Sequence, residues 1–219
     1  MISHVDEIVG DVMTPQENSV KQLSELYNVV VGIALTLSIT KIIDLGAPDI
    51  PINWSALLTF LSFLVTIIPF HHGTVRHLYA TYVEAGGSTR IKRGALAIDF
   101  LLLFFQACLF IALSLLIQKP ELFLNVLIGL LVVDCIWGVL AYLAFTGAQA
   151  QLAEKKWALI NLAAGVLLFA LAKLGPPLLG GWADTMNQLV FVICLVRTIA
   201  DYITSWDFYY PPQSNPDCE

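Results

Sequence analysis

Four ionisable side chains lie inside long apolar stretches of the chain. They are Asp99, Asp134, Arg197 and Asp201. A charge in an apolar segment is costly, so each must be paired, hydrated or functional. Arg197 and Asp201 are four residues apart and share one helix face. We expect a buried ion-pair cluster. The functional alternative is a proton relay or cation site, because three carboxylates around one guanidinium favour at least one that is protonated or wet.

The first apolar run carries small or polar residues at every fourth position. They are Ser24, Asn28, Gly32, Thr36 and Thr40. Residues at this spacing lie on one slowly drifting face of a helix. One interpretation is close helix packing, with hydroxyls bonded to carbonyls of their own helix. The other is a water-filled pore lined by this face. Spacing alone favours packing, because small-residue seams are common in membrane bundles.

The composition places these residues in a membrane. Apolar residues make up 58% of the 219 and charged residues 13%, whereas soluble domains average about 45–50% and about 25%. Residues 50–75, 100–118, 135–153 and 157–172 contain no Asp, Glu, Lys or Arg. A bilayer core about 30 Å thick needs about 20 mostly apolar residues per helix. The sequence therefore predicts an all-α, polytopic integral membrane protein.

Six spanning helices are predicted along the chain. Their approximate bounds are 22–44, 53–78, 94–117, 121–146, 156–174 and 186–209. They form one domain (22–209) between a polar, acidic N-terminal segment (1–21) and a tail (210–219). The proline-containing segments GAPDIPIN, KPE and GPPLLGG are predicted to be turns, because proline does not continue a helix.

The basic residues predict the orientation of the six helices. With short loops, Lys and Arg concentrate on the cytoplasmic side. One side carries Lys21, Arg76, Arg90, Lys92, Arg93, Lys155, Lys156 and Arg197, and the other carries Lys41, Lys119 and Lys173. Both termini are therefore predicted to be cytoplasmic.

Several function classes are excluded by the sequence. A net charge of −6 with 11 basic residues argues against nucleic acid as a partner. The motifs HExxH, GxSxG and CxxC and a glycine-rich phosphate loop are absent, so we expect no enzyme, no catalytic residue, no cofactor and no metal. His71 and His72 are adjacent and point about 100° apart on a helix, so the two cannot ligate one metal from that helix alone. With His77 they are expected to be interfacial caps.

The first two spans resemble those of the transmembrane protein 175 family of endolysosomal potassium channels and their prokaryotic relatives. Residues 24–42, SELYNVVVGIALTLSITKI, are similar to the family's first helix, where a Phe-Ser-Asp motif precedes a run like VFAIAMTLL. Residues 53–78, NWSALLTFLSFLVTIIPFHHGTVRHL, are similar to its second helix, which ends in an aromatic and His-His pattern. The other four spans agree only in number and length.

The chain departs from the family at the motif itself. Leu26, Tyr27 and Asn28 replace Phe-Ser-Asp, and Gln22 stands where the family has a basic residue. In the family these groups form a polar network that holds the first helix against its neighbours. Asn28 keeps hydrogen-bonding capacity without the charge. The network is therefore either rebuilt with neutral partners such as His71 or His72, or the channel function is lost.

The resemblance implies a homotetramer in the inner membrane of a prokaryote, whose first helices line a central pore for potassium or other monovalent cations. The family's bulky aliphatic constriction falls on Ile33, with Leu37 one turn later. A ring of isoleucines blocks conduction by dewetting and opens when the helices tilt or rotate. Polar lining would come from Gly32, Thr36 and Thr40. No TVGYG-type filter loop is present, so selectivity would rest on hydroxyls and a hydrophobic neck.

Two alternatives to a channel remain open. One is a small proton-coupled carrier using Asp134, Arg197 and Asp201, although no inverted repeat is evident. The other is a non-conducting membrane subunit that binds a partner through the acidic N-terminus and tail. Its support is the loss of the Phe-Ser-Asp motif.

Overall fold

The protein is all-helical in the computed structural model, which describes residues 14–43, 53–84, 93–144, 148–179 and 184–211. The helices are α1 (Pro15–Ile42), α2 (Trp54–Tyr79), α3 (Arg93–Leu115), α4 (Pro120–Ala144), α5 (Ala148–Leu179), α6 (Asp184–Thr204) and the single turn α7 (Trp206–Tyr209). Six of these, α1 to α6, are long and apolar enough to cross a membrane. The all-α, six-span class predicted from the sequence is confirmed.

Helix α1 begins seven residues before the predicted start at 22. Thr14 is the N-cap, its hydroxyl accepts a hydrogen bond from Glu17 N at 3.2 Å, and the Glu17 carboxylate accepts one from Thr14 N at 2.7 Å. Pro15 takes the first helical position, where a missing N–H costs nothing. This capping box makes residues 15–21 helical, with Val20 fully buried, so that part of the predicted polar segment belongs to the domain. Residues 1–13 lie outside the described residues.

Helix α2 continues through a proline. Pro69 has no N–H to donate to the Val65 carbonyl one turn earlier. The Thr198 hydroxyl on α6 donates to that carbonyl at 2.6 Å and so satisfies it. A neighbouring helix thus supplies the lost hydrogen bond, as membrane helices require. Beyond Tyr79, a π-helical turn (Ala80–Glu84) extends α2 past the predicted end of the second span at residue 78.

The predicted bounds of the last two spans need correction. Helix α5 runs well past both ends of the predicted span 156–174 and includes Pro176 and Pro177, which were predicted to form a turn. Prolines in the last turns free few carbonyls, so the helix can absorb them. The predicted sixth span breaks at Ser205, which separates α6 from α7.

The six long helices pack as a ring in the order α1, α3, α4, α5, α6 and α2. Helices α4 and α5 approach each other closely at Gly138. A Cβ atom there would lie 3.1 Å from the Glu154 carbonyl oxygen and 3.2 Å from the Ala158 Cβ. Small residues allow such close approach of membrane helices. At Gly129, on the same helix, a Cβ would meet nothing within 4 Å.

Gly138→Leu is expected to destabilise the bundle. The added side chain must push α5 away, at a cost of about 1–3 kcal/mol for overpacking. Thermal unfolding of the purified protein in detergent measures the effect. Gly129→Leu is the matched control and should unfold at the wild-type temperature. Equal unfolding temperatures for the two variants would contradict the close contact of α4 and α5.

Candidate functional site

A chain of buried hydrogen bonds joins five helices. The Tyr27 hydroxyl on α1 donates to Gln106 Oε1 on α3 at 2.8 Å, and Gln106 Nε2 donates to Asp134 Oδ1 on α4 at 3.2 Å. Asn161 Nδ2 on α5 donates to the other oxygen of Asp134. Arg197 Nε on α6 donates to Asn161 Oδ1 at 2.8 Å. All five side chains are buried. We call this set the polar chain.

The polar chain differs from the predicted ion-pair cluster. Among the described residues, Arg197 has no carboxylate within 4.0 Å, so it makes no ion pair with Asp134 or Asp201. The reason is the helix order, since α5 lies between α4 and α6 and inserts Asn161. The guanidinium of Arg197 instead lies 4.4 Å from the centre of the Phe70 ring, a cation–π contact that partly replaces lost hydration.

Gln106 and Asn161 were missed at the sequence level because they carry no charge. Each lies within a run that contains no charged residue, and each joins two members of the polar chain. An amide in hydrocarbon needs hydrogen-bond partners as a charge does. A search for amides inside the apolar runs would have found both.

Asp201 lies at the end of the bundle near α7. Its Oδ2 accepts a hydrogen bond from the Tyr209 hydroxyl at 3.0 Å. Burial, and then the Asp201 charge, raise the pKa of Tyr209, so this hydroxyl stays protonated and acts as the donor. The interaction attaches α7 to α6.

A small cavity of about 20 Å³ joins the three predicted carrier residues. Asp134, Arg197 and Asp201 line it together with Trp157 and others. Arg197 Nη1, Asp201 Oδ1 and Trp157 Nε1 have no hydrogen-bond partner among the described residues. The cavity has room for about one water molecule. The three charged groups therefore share one polar space without direct ion pairing.

Asp99 belongs to a separate cluster, which corrects its predicted place beside Asp134. Its Oδ2 lies 3.3 Å from His77 Nε2. Its other partners are the Tyr82 hydroxyl, at 2.6 Å from Oδ2, and Trp137 Nε1, at 3.0 Å from Oδ1. Glu154 Oε1 lies 3.1 Å from the opposite ring nitrogen, Nδ1. His77 is only 1% exposed, so it is buried and not an interfacial cap.

The first-helix network is present in a changed form. His71 Nε2 lies 2.5 Å from Asn28 Oδ1, and the His71 ring stacks on Tyr27 with centroids 5.8 Å apart. His72 does not join this network, because it points to the other side of α2 and contacts the Tyr202 hydroxyl at 3.2 Å. Leu26 is 46% exposed and lines an open groove between α1 and α3.

The predicted stripe on α1 divides between two surfaces. Ser24 is buried, whereas Gly32, Thr36 and Thr40 face outward with Ile33, which is 47% exposed. A Cβ at Gly32 would meet nothing within 4 Å, so this outward part of the stripe does not pack against the chain's own helices. Leu37 is only half-buried. We call Gly32, Ile33, Thr36 and Thr40 the outer face of α1.

The hydroxyls of the outer face are bonded to their own helix. Thr36 Oγ1 donates to the Gly32 carbonyl at 2.9 Å, and Thr40 Oγ1 donates to the Leu37 carbonyl at 2.7 Å. Since each hydroxyl proton is used within the helix, the oxygen lone pairs remain available as acceptors.

Comparison with known proteins adds no relative: no family model matches the chain, and neither the curated proteins nor the solved structures include a match.

Within the part of the chain that the structure describes, no group of three His, Cys, Asp or Glu side chains is placed to hold a metal ion.

Asn161→Leu is expected to destabilise the fold strongly. The change keeps the side-chain size but removes the partner of Asp134 Oδ2 and of Arg197 Nε, at about 1–3 kcal/mol or more for each group. Chemical unfolding in mixed detergent micelles measures the loss. Asn125→Leu on α4 is the control, because Asn125 is exposed. If both variants unfold alike, Asn161 does not hold the polar chain together.

Proposed function

We propose that this chain is one subunit of a channel for potassium or other monovalent cations, in which α1 of each of four subunits lines a central pore. The supporting observation is the outer face of α1. This face carries a glycine and two hydroxyls at the surface of the single subunit. The opposite face of α1 is attached to α3 by the Tyr27–Gln106 hydrogen bond. The likeness to the transmembrane protein 175 family supports the tetramer.

The constriction of this pore is a ring of Ile33 side chains. A narrow apolar ring excludes water and so blocks an ion that would have to lose its hydration shell. One turn further, Thr36 presents a hydroxyl oxygen whose proton is already used by Gly32. Such oxygens replace part of the lost hydration of a cation. Leu37 is half-buried and would narrow the pore only if α1 rotates.

The membrane orientation follows from the basic residues. Both termini face the cytoplasm, since most Lys and Arg lie at that end of the helices. The likeness to prokaryotic members of the transmembrane protein 175 family supports the inner membrane of a prokaryote. The pore-lining stretch between Glu25 and Lys41 contains no charged residue. The channel therefore distinguishes cations by dehydration and hydroxyl contact and not by a ring of carboxylates.

Replacing Ile33 by Ala or Asn is expected to raise cation leak several-fold. A smaller or polar side chain lets water enter the neck and removes the dewetting barrier. Flux from potassium-loaded proteoliposomes, followed with a potassium-selective electrode, is the measurement.

The control is Ile136→Asn, because Ile136 lies exposed on α4, which does not pack against α1. It should leave flux at the wild-type level. If both Ile33 variants leak no more than empty vesicles, α1 does not line a pore, and a non-conducting subunit that binds a partner becomes the better description.

A proton-coupled carrier is the second candidate. One observation favours it: Asp134, Arg197 and Asp201 line one buried cavity, with a donor of Arg197 and an acceptor of Asp201 unpartnered within the described residues. Two carboxylates facing one guanidinium leave one negative charge to be balanced by a proton.

Asp134→Asn discriminates the carrier from the channel. In a carrier, loss of the exchangeable carboxyl should abolish uptake driven by a pH gradient. The Asn amide keeps an acceptor for only one of the two donors that bind Asp134, so only the folded fraction of the variant is reconstituted. Acidification inside dye-loaded proteoliposomes measures proton movement, and size-exclusion chromatography reports folding. Wild-type proton movement in the variant rules out a proton relay through Asp134.

A further inference from the structure

Glu154 and His77 meet at a buried contact between α5 and α2. Glu154 Oε1 lies 3.1 Å from His77 Nδ1, and both side chains are 1% exposed. The alignment is poor for an ordinary hydrogen bond, and Glu154 Oε2 has no partner among the described residues. A carboxyl group this deeply buried and this weakly bonded is costly unless a proton is bound nearby.

The protonation state of Asp99 determines whether His77 Nε2 carries a proton. Trp137 Nε1 can only donate, so Asp99 Oδ1 is an acceptor. Oδ2 faces the Tyr82 hydroxyl at 2.6 Å and His77 Nε2 at 3.3 Å. With Trp137 and Tyr82 donating to it, Asp99 is an ionised carboxylate. Its Oδ2 therefore faces His77 Nε2 as an acceptor, so Nε2 carries a proton.

The opposite nitrogen of His77 then needs a second proton. With Nε2 protonated, a neutral imidazole presents a lone pair at Nδ1. That lone pair would face the lone pairs of Glu154 Oε1 at 3.1 Å, which is repulsive. One proton, carried by Nδ1 or by Oε1, turns the repulsion into attraction. Thr81 Oγ1, at 3.5 Å, is a further neighbour of Nδ1 but is too distant to satisfy it well.

We propose that His77 and Glu154 form a proton-binding site and that their shared proton holds α5 against α2. This site is independent of the proposed pore on α1 and of the cavity at Asp134. Without the proton, Glu154 and Asp99 would leave two buried negative charges beside a neutral ring, and α2 and α5 would separate. The ligand is a proton taken from the aqueous phase.

The π-helical turn that extends α2 and the helices α3, α4 and α5 contribute groups to the site. These groups include Thr81 and Tyr82 on the turn, Asp99 on α3, Trp137 on α4 and Glu154 on α5. Arg76 is held by Glu84 and the Phe208 carbonyl and does not contact the site. Lys155 and Lys156 follow Glu154 and are exposed. The site thus lies at the basic end of α5, next to two exposed lysines.

Nitrogen NMR of the full-length protein in liposomes, with ¹⁵N-labelled histidine ring nitrogens, tests the site directly. Among the signals of the four histidines, those of His77 are identified as the ones lost in His77→Gln. In the wild type, the Nδ1 signal of His77 should show a bound or shared proton at neutral pH and lose it as the pH rises. An Nδ1 signal of His77 that is neither protonated nor hydrogen-bonded at any pH value overturns the proposal.

Glu154→Gln is the discriminating variant, and Glu84→Gln is its matched control. A glutamine amide can donate its own N–H to Nδ1, so His77 should become a neutral ring at every pH. The unfolding temperature of the variant should no longer fall as the pH rises, because the site has no proton to release. Glu84→Gln should keep both the wild-type NMR signals and the wild-type pH profile. If the two variants give the same signals and profiles, Glu154 holds no proton.

Discussion

The hydrogen bonds of Asp134 with Gln106 and Asn161 hold the centre of the bundle together. Hydrocarbon offers no water to a carboxylate, so each oxygen must find a donor inside the protein. Gln106 and Asn161 provide one donor each from the helices on either side. Their own carbonyl oxygens then accept from Tyr27 and Arg197. One buried charge thereby determines the relative positions of α1, α3, α4, α5 and α6.

The same requirement separates the two faces of α1. Its inner face contributes Tyr27, whose hydroxyl is satisfied by Gln106, and the apolar residues Val31 and Ala34, which pack in the core. Its outer face satisfies Thr36 and Thr40 within the helix itself. An outer face of this kind is stable against lipid, against another subunit or against a water-filled pore.

The two buried clusters meet at aromatic residues. Trp137 donates to Asp99, lies edge-on to His77 at 4.8 Å and lines the cavity of Asp134. Trp157 stacks on Trp137 at 6.3 Å. Flat rings fill the space between charged groups and keep them in a low-dielectric environment, where each missing or added proton has a large effect. The bundle therefore concentrates its ionisable groups in a few buried sites that aromatic rings line.

Much of the fold was predictable from the sequence, because the apolar composition of each run is enough to predict a spanning helix there. Runs without charge must be helices in a bilayer, and all six were predicted, with errors at the ends where the Thr14–Glu17 capping box and the late prolines of α5 altered the bounds. The Asn28–His71 contact was also anticipated, since both residues lie near the same end of adjacent helices.

Only the tertiary structure decided which polar groups meet. The sequence marked Asp99, Asp134, Arg197 and Asp201 as costly, but pairing depends on helix order. Because α5 lies between α4 and α6, Asn161 takes the place expected for an ion pair, and Asp99 turns to His77 and away from Asp134. The spacing of the stripe on α1 was likewise visible in the sequence, while its outward direction was not. Periodicity defines the face of a helix, and packing with distant helices decides where that face points.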